Sequence, residues 1–416
     1  MSKKLKKIIP DLRFPAFNGD WTAKRLSEIS NEIGDGLHGT PKYNEDGEYY
    51  FVNGNNLIND KIEFSENTKL IDESEYLKYR NALASQTILI SINGTIGNLA
   101  FYNYEKIALG KSICYINLIS EENKIFVFYL LQTSSIKSHF NKELTGSTIK
   151  NLSLATIRNT KPLFPSYKEQ KKIASFLGAI DKRLTQLRRK HKLLQTYKRG
   201  VMQKIFSQEV RFKGAIGVAF PDWEERKLGN IVAGGFSNGV FNDPNKLGQE
   251  YRLVNVKDMY NGDFIDVNSL TRLLLDEQEF KKNKAEHGDI FFTRSSLVKE
   301  GIAYSNILLS DDQDITYDGH LIRFRFNHKD YLPQFMALAV KTSMARKQFV
   351  SRGKTGTMTT IGQDDISTVK ISIPSKEEQE KIADFLTAIN RKIEAVIQQI
   401  NCTEQFKKGL LQKMFV

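Results

Sequence analysis

The residues best suited to hydrolytic chemistry lie in the stretch "PDWEERK". Asp222, Glu225 and Lys227 are the residue types of metal-dependent nucleases, in which the first acid and the later acid-x-lysine pair lie on different strands and converge on Mg²⁺. Only two residues separate Asp222 from Glu225, which is too few to place them on two strands. A similar earlier stretch, "GDWTAKR", lacks the glutamate. The spacing therefore argues against cleavage by this chain.

Other catalytic patterns are missing from the sequence. It has no P-loop, no glycine-rich fingerprint between a strand and a helix, and no Asn-Pro-Pro-aromatic signature of amino-methylating DNA methyltransferases. The six histidines lie in separate contexts without paired metal-ligand spacing, at His38, His139, His191, His287, His320 and His328. Two cysteines, Cys114 and Cys402, supply neither a disulfide framework nor a cysteine-rich zinc site. We expect no metal and no catalytic site.

The composition favours a polyanionic partner. Lys and Arg number 61 against 48 Asp and Glu in 416 residues, which gives a net charge of +13 and a pI near 9.3. A basic but ordinary surface is the alternative. No signal sequence or membrane-spanning run is apparent, so we expect a soluble, cytoplasmic protein with two or three domains.

The most informative feature is an internal repeat. Residues 165–183 align without a gap to residues 374–392, with 11 of 19 positions identical, including "EQKKIASFLGAID" against "EQEKIADFLTAIN". Weaker echoes lie upstream, where "DWTAKRLSEI" resembles "DWEERKLGNI" and "YYFVNGNNL" resembles "YRLVNVKDM". Each half of the chain therefore has one plan, a globular domain followed by a long helix.

The globular parts mix strands and helices. Short runs such as "TILISI", "ICYINLI" and "LIRFRF" predict strands, whereas "KIFVFYLLQTSSIKSHF" and "YLPQFMALAVKTSMARKQF" predict helical stretches. The predicted fold class is α/β (mixed α+β) with an internal pseudo-twofold repeat. The predicted segments are a first domain at 1–165, a first spacer helix at 166–208, a second domain at 209–373 and a second spacer helix at 374–416.

Each long helix carries a narrow apolar seam with coiled-coil spacing. The first seam comprises Ile173, Leu177, Ile180, Leu184, Leu187, His191 and Leu194, and the second comprises Ile382, Leu386, Ile389, Ile393, Val396, Ile400 and Thr403. Helices of about 39 residues span roughly 58 Å. We expect them to pair with each other as an antiparallel coiled coil that acts as a ruler longer than one turn of B-DNA, about 34 Å. A zipper between two chains, or simple core helices, is the alternative.

Charge distinguishes the two helices. Residues 168–206 carry 12 basic and 2 acidic side chains, whereas residues 377–415 carry 6 of each. The basic cluster of the first helix comprises Lys182, Arg183, Arg188, Arg189, Lys190 and Lys192. It could contact DNA phosphates or an acidic partner, or it could be a solvated face.

The pattern of two variable domains and two similar long helices resembles the specificity subunit of type I restriction-modification enzymes. The resemblance covers the whole chain and includes the helix starts, the approach "GSTIKNLSLATIRNTKPLFP" and the loop "LHGTPKY". It implies a non-catalytic subunit that binds a bipartite, asymmetric site in double-stranded DNA, with one half-site per target-recognition domain. Two adenine-methyltransferase subunits that use S-adenosylmethionine, and translocase/nuclease subunits that use ATP and Mg²⁺, would dock on it.

Given that resemblance, residues that could contact DNA follow from the chemistry of base edges and phosphates. In the first domain they are His38, Thr40, Lys42, Tyr43, Asn53, Asn55, Asn93, Thr95, Ser147, Thr148 and Lys150. In the second domain they are Asn255, Lys257, Arg294, Ser295, Ser296, Lys299, Arg352, Lys354, Thr355 and Thr357. Turn formation and solvation are the alternative role for each. "LHGTPKY" has no clear counterpart in the second half, where "AGGFSNGVFNDPNK" occupies the region.

An alternative function is a homodimeric coiled-coil scaffold without sequence-specific DNA binding. Light scattering distinguishes the two, because a concentration-dependent dimer that is lost on deletion of residues 376–416 would favour the scaffold.

Overall fold

The computed structural model describes residues 9–146, 150–241 and 247–416. The chain divides into two compact units. The first unit takes the residues up to Arg189 together with Ile397–Val416, and the second takes Lys190–Val396. Each unit therefore contains one globular domain, the start of one long helix and the end of the other. The predicted mixed fold and its repeat are confirmed, whereas the predicted segment boundaries stay a prediction.

The first unit is built from short strands and helices. The strands are β1 (Thr22–Ala23), β2 (Ser30–Asp35), β3 (Tyr49–Val52), β4 (Leu57–Ile58), β5 (Lys61–Ile62), β6 (Leu70–Ile71), β7 (Thr87–Ser91), β8 (Leu99–Phe101), β9 (Ile107–Leu109), β10 (Ile113–Leu118) and β11 (Leu163–Phe164). The helices are α1 (Glu73–Tyr79), α2 (Lys124–Gln132), α3 (Ser134–Lys142), α4 (Leu154–Asn159) and the long α5 (Tyr167–Phe206).

The main sheet of the first unit has the order β2-β10-β7-β8 and is antiparallel. A second sheet has the order β6-β3-β9, in which β3 and β9 run parallel, with Val52 opposite Leu109. β7 and β10 are buried along their whole lengths, as their continuous apolar runs predict. The core therefore lies on both faces of the main sheet.

The second unit repeats this architecture. Its strands are β12 (Glu224–Lys227), β13 (Val232–Asn238), β14 (Leu247–Val254), β15 (Thr271–Leu273), β16 (Ile290–Thr293), β17 (Ser295–Ser296), β18 (Ser305–Ile307), β19 (Ile315–Tyr317), β20 (Leu321–Phe326), β21 (Lys354–Thr355), β22 (Thr359–Thr360) and β23 (Lys370–Ile373). Its helices are α6 (Glu277–Lys282), α7 (Pro333–Ala339), α8 (Ser343–Arg352), α9 (Gln363–Ser367) and the long α10 (Lys376–Lys413).

The strand order of the second unit matches that of the first. The order β13-β20-β16-β18 corresponds to β2-β10-β7-β8, and β15-β14-β19 corresponds to β6-β3-β9. The parallel pair recurs as well, with Val254 opposite Tyr317. A third sheet in the second unit, β17-β22-β21, joins the loop after β16 to the loop before α9.

Each helical stretch predicted in the globular parts is two helices. α2 ends and α3 begins at Thr133, which has φ −62° and ψ 151°, and α7 and α8 are separated near Thr342, with φ −62° and ψ 155°. Both threonine side chains accept a hydrogen bond from the backbone of the helix that follows. A hydroxyl that caps a new helix favours a break over continuation.

The two long helices pair in antiparallel fashion, as predicted. In the first unit, Ile173 and Leu177 near the start of α5 share a core with Leu410 near the end of α10. In the second unit, Ile205 near the end of α5 shares a core with Ile382 near the start of α10. The seam residues are buried or half-buried throughout. The seam therefore has its partner within this chain.

Phe415 gives a test of this packing in the first unit. Its ring centroid lies 5.3 Å from that of Phe126 and 6.3 Å from that of Trp21, and all three side chains are buried. We expect Phe415→Ala to lower the free energy of unfolding by about 3–5 kcal/mol, because the cavity lies in a packed core. Trp21 fluorescence during urea unfolding, in a Trp223→Phe background, measures the loss. Phe406→Ala, at an exposed side chain, should change it little.

Candidate nucleic-acid interface

The segment 110–112, between β9 and β10, joins two of the loops in which candidate residues lie. The N–H of Lys111 donates to the carbonyl of Leu37 at 2.9 Å. The N–H of Gly110 donates to the carbonyl of Val52 at 2.8 Å. Backbone bonds therefore bring "LHGTPKY" and "VNGNN" to the same short segment.

The same segment holds two further connections. The hydroxyl of Ser112 accepts from the N–H of Gly54 at 2.8 Å, and its carbonyl accepts from the N–H of Ile92 at 2.8 Å. Ile92 in turn accepts from the N–H of Leu152 at 2.9 Å. These bonds define the first loop cluster, which comprises residues 36–43, 53–55, 93–97, 110–112, 145–146 and 150–151.

Residues 318–320, between β19 and β20, have the corresponding position in the second unit. The N–H of Gly319 donates to the carbonyl of Val240 at 2.6 Å. The N–H of Asp318 donates to the carbonyl of Val254 at 3.0 Å. The loop that follows β13 and the "LVNVKD" loop are therefore tied to one segment, as in the first unit.

The remaining second-unit connections also repeat. The N–H of Arg294 donates to the carbonyl of His320 at 2.9 Å, and the N–H of Ile361 donates to the carbonyl of Arg294 at 3.0 Å. Ser295 pairs with Thr360 through β17 and β22. The second loop cluster comprises residues 238–241, 255–257, 294–299, 318–320 and 354–360.

The two clusters thus share one backbone frame and differ in side chains. Leu37 and Val240 have equivalent places, because each accepts a hydrogen bond from the segment that precedes the central strand of its main sheet. "LHGTPKY" therefore has a structural counterpart in the second half, although its sequence shows none. One frame with different side chains could present different chemistry to two different ligands.

Candidates in the "LHGTPKY" loop are exposed, namely His38, Thr40, Lys42 and Tyr43. The Nε2 atom of His38 lies 2.6 Å from a carboxylate oxygen of Asp35. The backbone N–H of Lys42 donates to Glu75 and, with Lys78, holds the pKa of that carboxyl below its ordinary value. The loop is therefore anchored through its backbone while its side chains remain accessible.

The two asparagines of "VNGNN" have different surroundings. The side-chain oxygen of Asn53 accepts from the hydroxyl of Ser112 at 2.9 Å, and Asn53 is half-buried. Asn55 is exposed. Asn53 thus holds the cluster together, and Asn55 is the residue of this pair that is free to contact a base edge.

The other first-half candidates lie on the remaining cluster loops. The side-chain amide of Asn93 donates to the carbonyl of Lys111 at 3.2 Å. Thr95 and Lys150 are exposed. Ser147 and Thr148 lie outside the described residues.

In the second unit, Arg294 is exposed between two fixed backbone groups. Ser295 and Ser296 are half-buried in β17, whereas Lys257 and Lys299 are exposed. The side-chain amide of Asn255 donates to the hydroxyl of Thr271 at 2.8 Å. As with Asn53, part of the hydrogen-bonding capacity of Asn255 is therefore used within the protein, here by β15.

The candidates in "SRGKTGTMTT" differ in whether their side chains bond within the protein or are exposed. The guanidinium of Arg352 donates to the hydroxyl of Thr368 at 2.8 Å and to the carbonyl of Gln348 at 2.9 Å. Lys354, Thr355 and Thr357 are exposed. Arg352 therefore supports the end of α8, and the exposed side chains lie on the β21 and β22 hairpin.

Two central residues were missed by sequence reasoning. Lys111 and His320 lie in the segments to which the cluster loops bond, and both are exposed. The signal available was a short polar segment, "GKS" or "DGH", between two apolar strands. That pattern is indistinguishable from an ordinary turn.

The repeated "EQ" at each helix start has a structural role. Glu169 is 1% exposed and accepts bonds from two nitrogens of Arg13, both at 2.7 Å. Glu378 is 0% exposed and accepts from Arg211 at 2.7 Å and from the indole N–H of Trp223 at 3.1 Å. The bonds with these carboxylates raise the pKa of each arginine. The repeat therefore anchors the segment that enters each globular domain.

The basic cluster of α5 is exposed along the helix. Arg188 pairs with Glu404 at 2.7 Å within the first unit. Lys182, Arg183, Arg189, Lys190 and Lys192 show no ion pair in the described part of the chain. Their charged groups are therefore accessible from solvent.

The carboxylates considered for metal-dependent cleavage have other surroundings. Glu225 lies 2.7 Å from the ammonium of Lys370, and Asp222 lies 3.6 Å from the guanidinium of Arg211. Among the described residues, no group of three or more His, Cys, Asp or Glu side chains could hold a metal ion. No helix within 9–146, 150–241 or 247–416 is long and apolar enough to cross a membrane.

The asparagine pair provides a local test. We expect Asn53→Ala to lower the free energy of unfolding by about 1–3 kcal/mol, because the hydroxyl of Ser112 loses its half-buried acceptor. Asn55→Ala should change it by less than about 0.5 kcal/mol. Urea unfolding followed by Trp21 fluorescence measures both values. Equal effects of the two variants would contradict the division between a supporting residue and a free one.

Comparison with known proteins identifies the family. The family described as type I restriction modification DNA specificity domain matches residues 18–195 and again residues 221–402. A Methanocaldococcus jannaschii protein, provisionally named as the specificity subunit of the type I restriction enzyme MjaX, is 26% identical over 94% of this chain and 92% of its own length. The Escherichia coli type I restriction enzyme EcoBI specificity subunit is 20% identical over 76% of this chain and 69% of its own length.

A solved structure supports the fold independently. The crystal structure of the S subunit of a type I restriction-modification system from M. genitalium superimposes with a TM-score of 0.57 and 17% identity, over 98% of this chain and 99% of that chain. The two matches of the family model therefore show two DNA specificity domains in this chain. The chain belongs to the type I restriction modification DNA specificity family.

Proposed function

We propose that this chain is the DNA sequence-specificity subunit of a type I restriction-modification complex and binds a bipartite, asymmetric site. Each loop cluster binds one half-site. The observation that carries the proposal is the shared backbone frame with different side chains, because such a pair recognises two different sequences in the same manner.

The paired helices and the rest of the surface serve as a scaffold for other subunits. Two adenine-methyltransferase subunits would use S-adenosylmethionine, and translocase/nuclease subunits would use ATP and Mg²⁺. This chain has no catalytic role in the proposal. Most of its excess positive charge lies on α5, where it supports association with DNA or with an acidic partner.

Purification with its own methyltransferase subunit tests the proposal. The complex should retard a duplex that contains the split site and release it when either half-site is scrambled. Affinity should fall steeply with salt concentration, because bound phosphates release counterions. Equal affinity for scrambled and intact duplexes would contradict the proposal, and so would full affinity for a single half-site.

A further inference from the structure

The segments that join the cluster loops carry exposed side chains with contrasting chemistry. In the first unit the exposed residue is Lys111, and in the second unit it is His320. Each lies where backbone bonds from separate loops meet. A side chain on such a fixed segment loses little further backbone freedom on binding, which favours a specific contact.

Both backbone polar groups of Lys111 are hydrogen-bonded to other residues of the cluster. Its N–H donates to Leu37 at 2.9 Å, and its carbonyl accepts from the side chain of Asn93 at 3.2 Å. No partner of its ammonium is found within the described ranges. An ammonium only donates hydrogen bonds, and in the major groove the O6 and N7 atoms of guanine are paired acceptors.

His320 is oriented by an adjacent carboxylate. Its Nδ1 lies 2.8 Å from Oδ1 of Asp318, and its backbone N–H donates to the same oxygen at 2.7 Å. The side chain of Asp318 is 7% exposed, whereas that of His320 is 59% exposed. The Phe241 ring meets the imidazole edge to face, with centroids 6.2 Å apart.

The carboxylate of Asp318 sets the hydrogen-bonding character of the ring. An ionised carboxylate only accepts hydrogen bonds, so Nδ1 carries the proton, and Nε2 of the neutral ring is an acceptor. An acceptor suits the exocyclic amino group of adenine or of cytosine. With Nδ1 facing Asp318, the imidazole of His320 offers Nε2 as an acceptor when the ring is neutral, so Lys111 and this form of His320 select opposite features of a base edge.

We propose that Lys111 and His320 are specificity-determining residues, one in each half-site. Lys111 donates to a guanine, and His320 accepts from the amino group of an adenine or a cytosine. This inference rests on the proposed function. The alternative for Lys111 is a phosphate contact, which would add affinity without distinguishing bases.

The test uses the full chain purified with its methyltransferase subunit, and duplexes that carry the motif found by mapping adenine methylation. Lys111→Met keeps most of the aliphatic stem and removes the ammonium. We expect it to weaken binding about 5- to 150-fold and to abolish discrimination at one guanine. Replacing that guanine with 7-deazaguanine, which lacks N7, should weaken DNA binding by the wild-type complex and have little further effect on DNA binding by the variant.

His320→Phe removes the ring nitrogens and keeps an aromatic ring beside Phe241. We expect loss of discrimination at one base pair in the other half-site. The probe is a base without the exocyclic amino group, either purine in place of adenine or pyrimidin-2-one in place of cytosine. This base should weaken DNA binding by the wild-type complex and leave DNA binding by the variant nearly unchanged.

Matched controls lie within the same units. Lys106→Met removes an exposed ammonium at the opposite end of β9. His287→Phe removes an imidazole that also lies near a carboxylate, 3.3 Å from Asp311. Neither control should alter base discrimination. Unchanged urea midpoints of all four variants would show that they fold.

The outcomes separate the inference from the proposed function. A wild-type complex that binds no split site would contradict the proposed function itself. Binding of a split site by the wild type, with uniform weakening by Lys111→Met over all sequences, would overturn the base contact of Lys111. Unchanged base discrimination in His320→Phe would likewise overturn the proposed role of His320. If both variants lose base discrimination in the same half-site, the assignment of one residue to each half-site is wrong.

Discussion

Glu378→Ala should lower the free energy of unfolding of the second unit by about 3–5 kcal/mol. The loss follows because the substitution leaves the half-buried guanidinium of Arg211 without its carboxylate and the indole N–H of Trp223 without its acceptor. A buried ion pair adds little over an apolar replacement, but removal of one partner leaves an uncompensated charge.

Trp223 is a direct reporter of this effect, because the chain has only two tryptophans. In a Trp21→Phe background, its fluorescence during urea unfolding measures the loss. Glu380 lies two residues further along the same helix and is exposed. Glu380→Ala should therefore change the free energy of unfolding by less than about 0.5 kcal/mol. Similar unfolding midpoints for the two variants would contradict the anchoring role of Glu378.

Arg294→Ala should weaken DNA binding by about 1–3 kcal/mol and relax specificity at one position of a single half-site. The backbone of Arg294 is fixed by bonds to His320 and Ile361, while its guanidinium is exposed. A fixed arginine is well suited to a bidentate contact with guanine.

Binding measured over single-base variants of both half-sites tests the assignment. Arg226→Ala, which removes an exposed arginine of β12 that pairs with Glu224, controls for the change of net charge. If Arg294→Ala weakens binding equally for every sequence, its guanidinium contacts a phosphate. If it relaxes both half-sites, the division of the site between the clusters is incorrect.

The long helices could be predicted in detail because their signal is local and repeated. The apolar seam recurs at steps of three and four residues, and its buried residues, such as Leu177 and Leu386, are those that the pattern indicates. The antiparallel pairing followed from the presence of two similar seams in one chain. The fold class followed from strand-like and helix-like segments in each half.

The loop clusters could be predicted only in part. Sequence reasoning selected the loops from their polar residues, and the structure brings those loops together. The sequence could not distinguish Asn53, whose side chain supports the cluster, from exposed Asn55, because both are asparagines in one turn. Nor could it place Arg352 on Thr368, since that bond joins residues 16 positions apart.

The equivalence of the two clusters was hidden for a physical reason. Its frame consists mainly of backbone hydrogen bonds, which constrain the path of the chain and leave side chains free to vary. Leu37 and Val240 therefore have the same place without similar flanking sequences. For the same reason, Lys111 and His320 appeared in the sequence only as parts of two unrelated turns.

The doubled helix start is a structural feature, and recognition belongs to the loops that the repeat does not preserve. The central claim is that the two clusters bind two different half-sites of one DNA motif. Single-molecule sequencing of adenine methylation, in cells with and without this chain, tests it most directly. We expect the loss of one bipartite, asymmetric motif, whereas unchanged methylation or the loss of a single uninterrupted motif would contradict this claim.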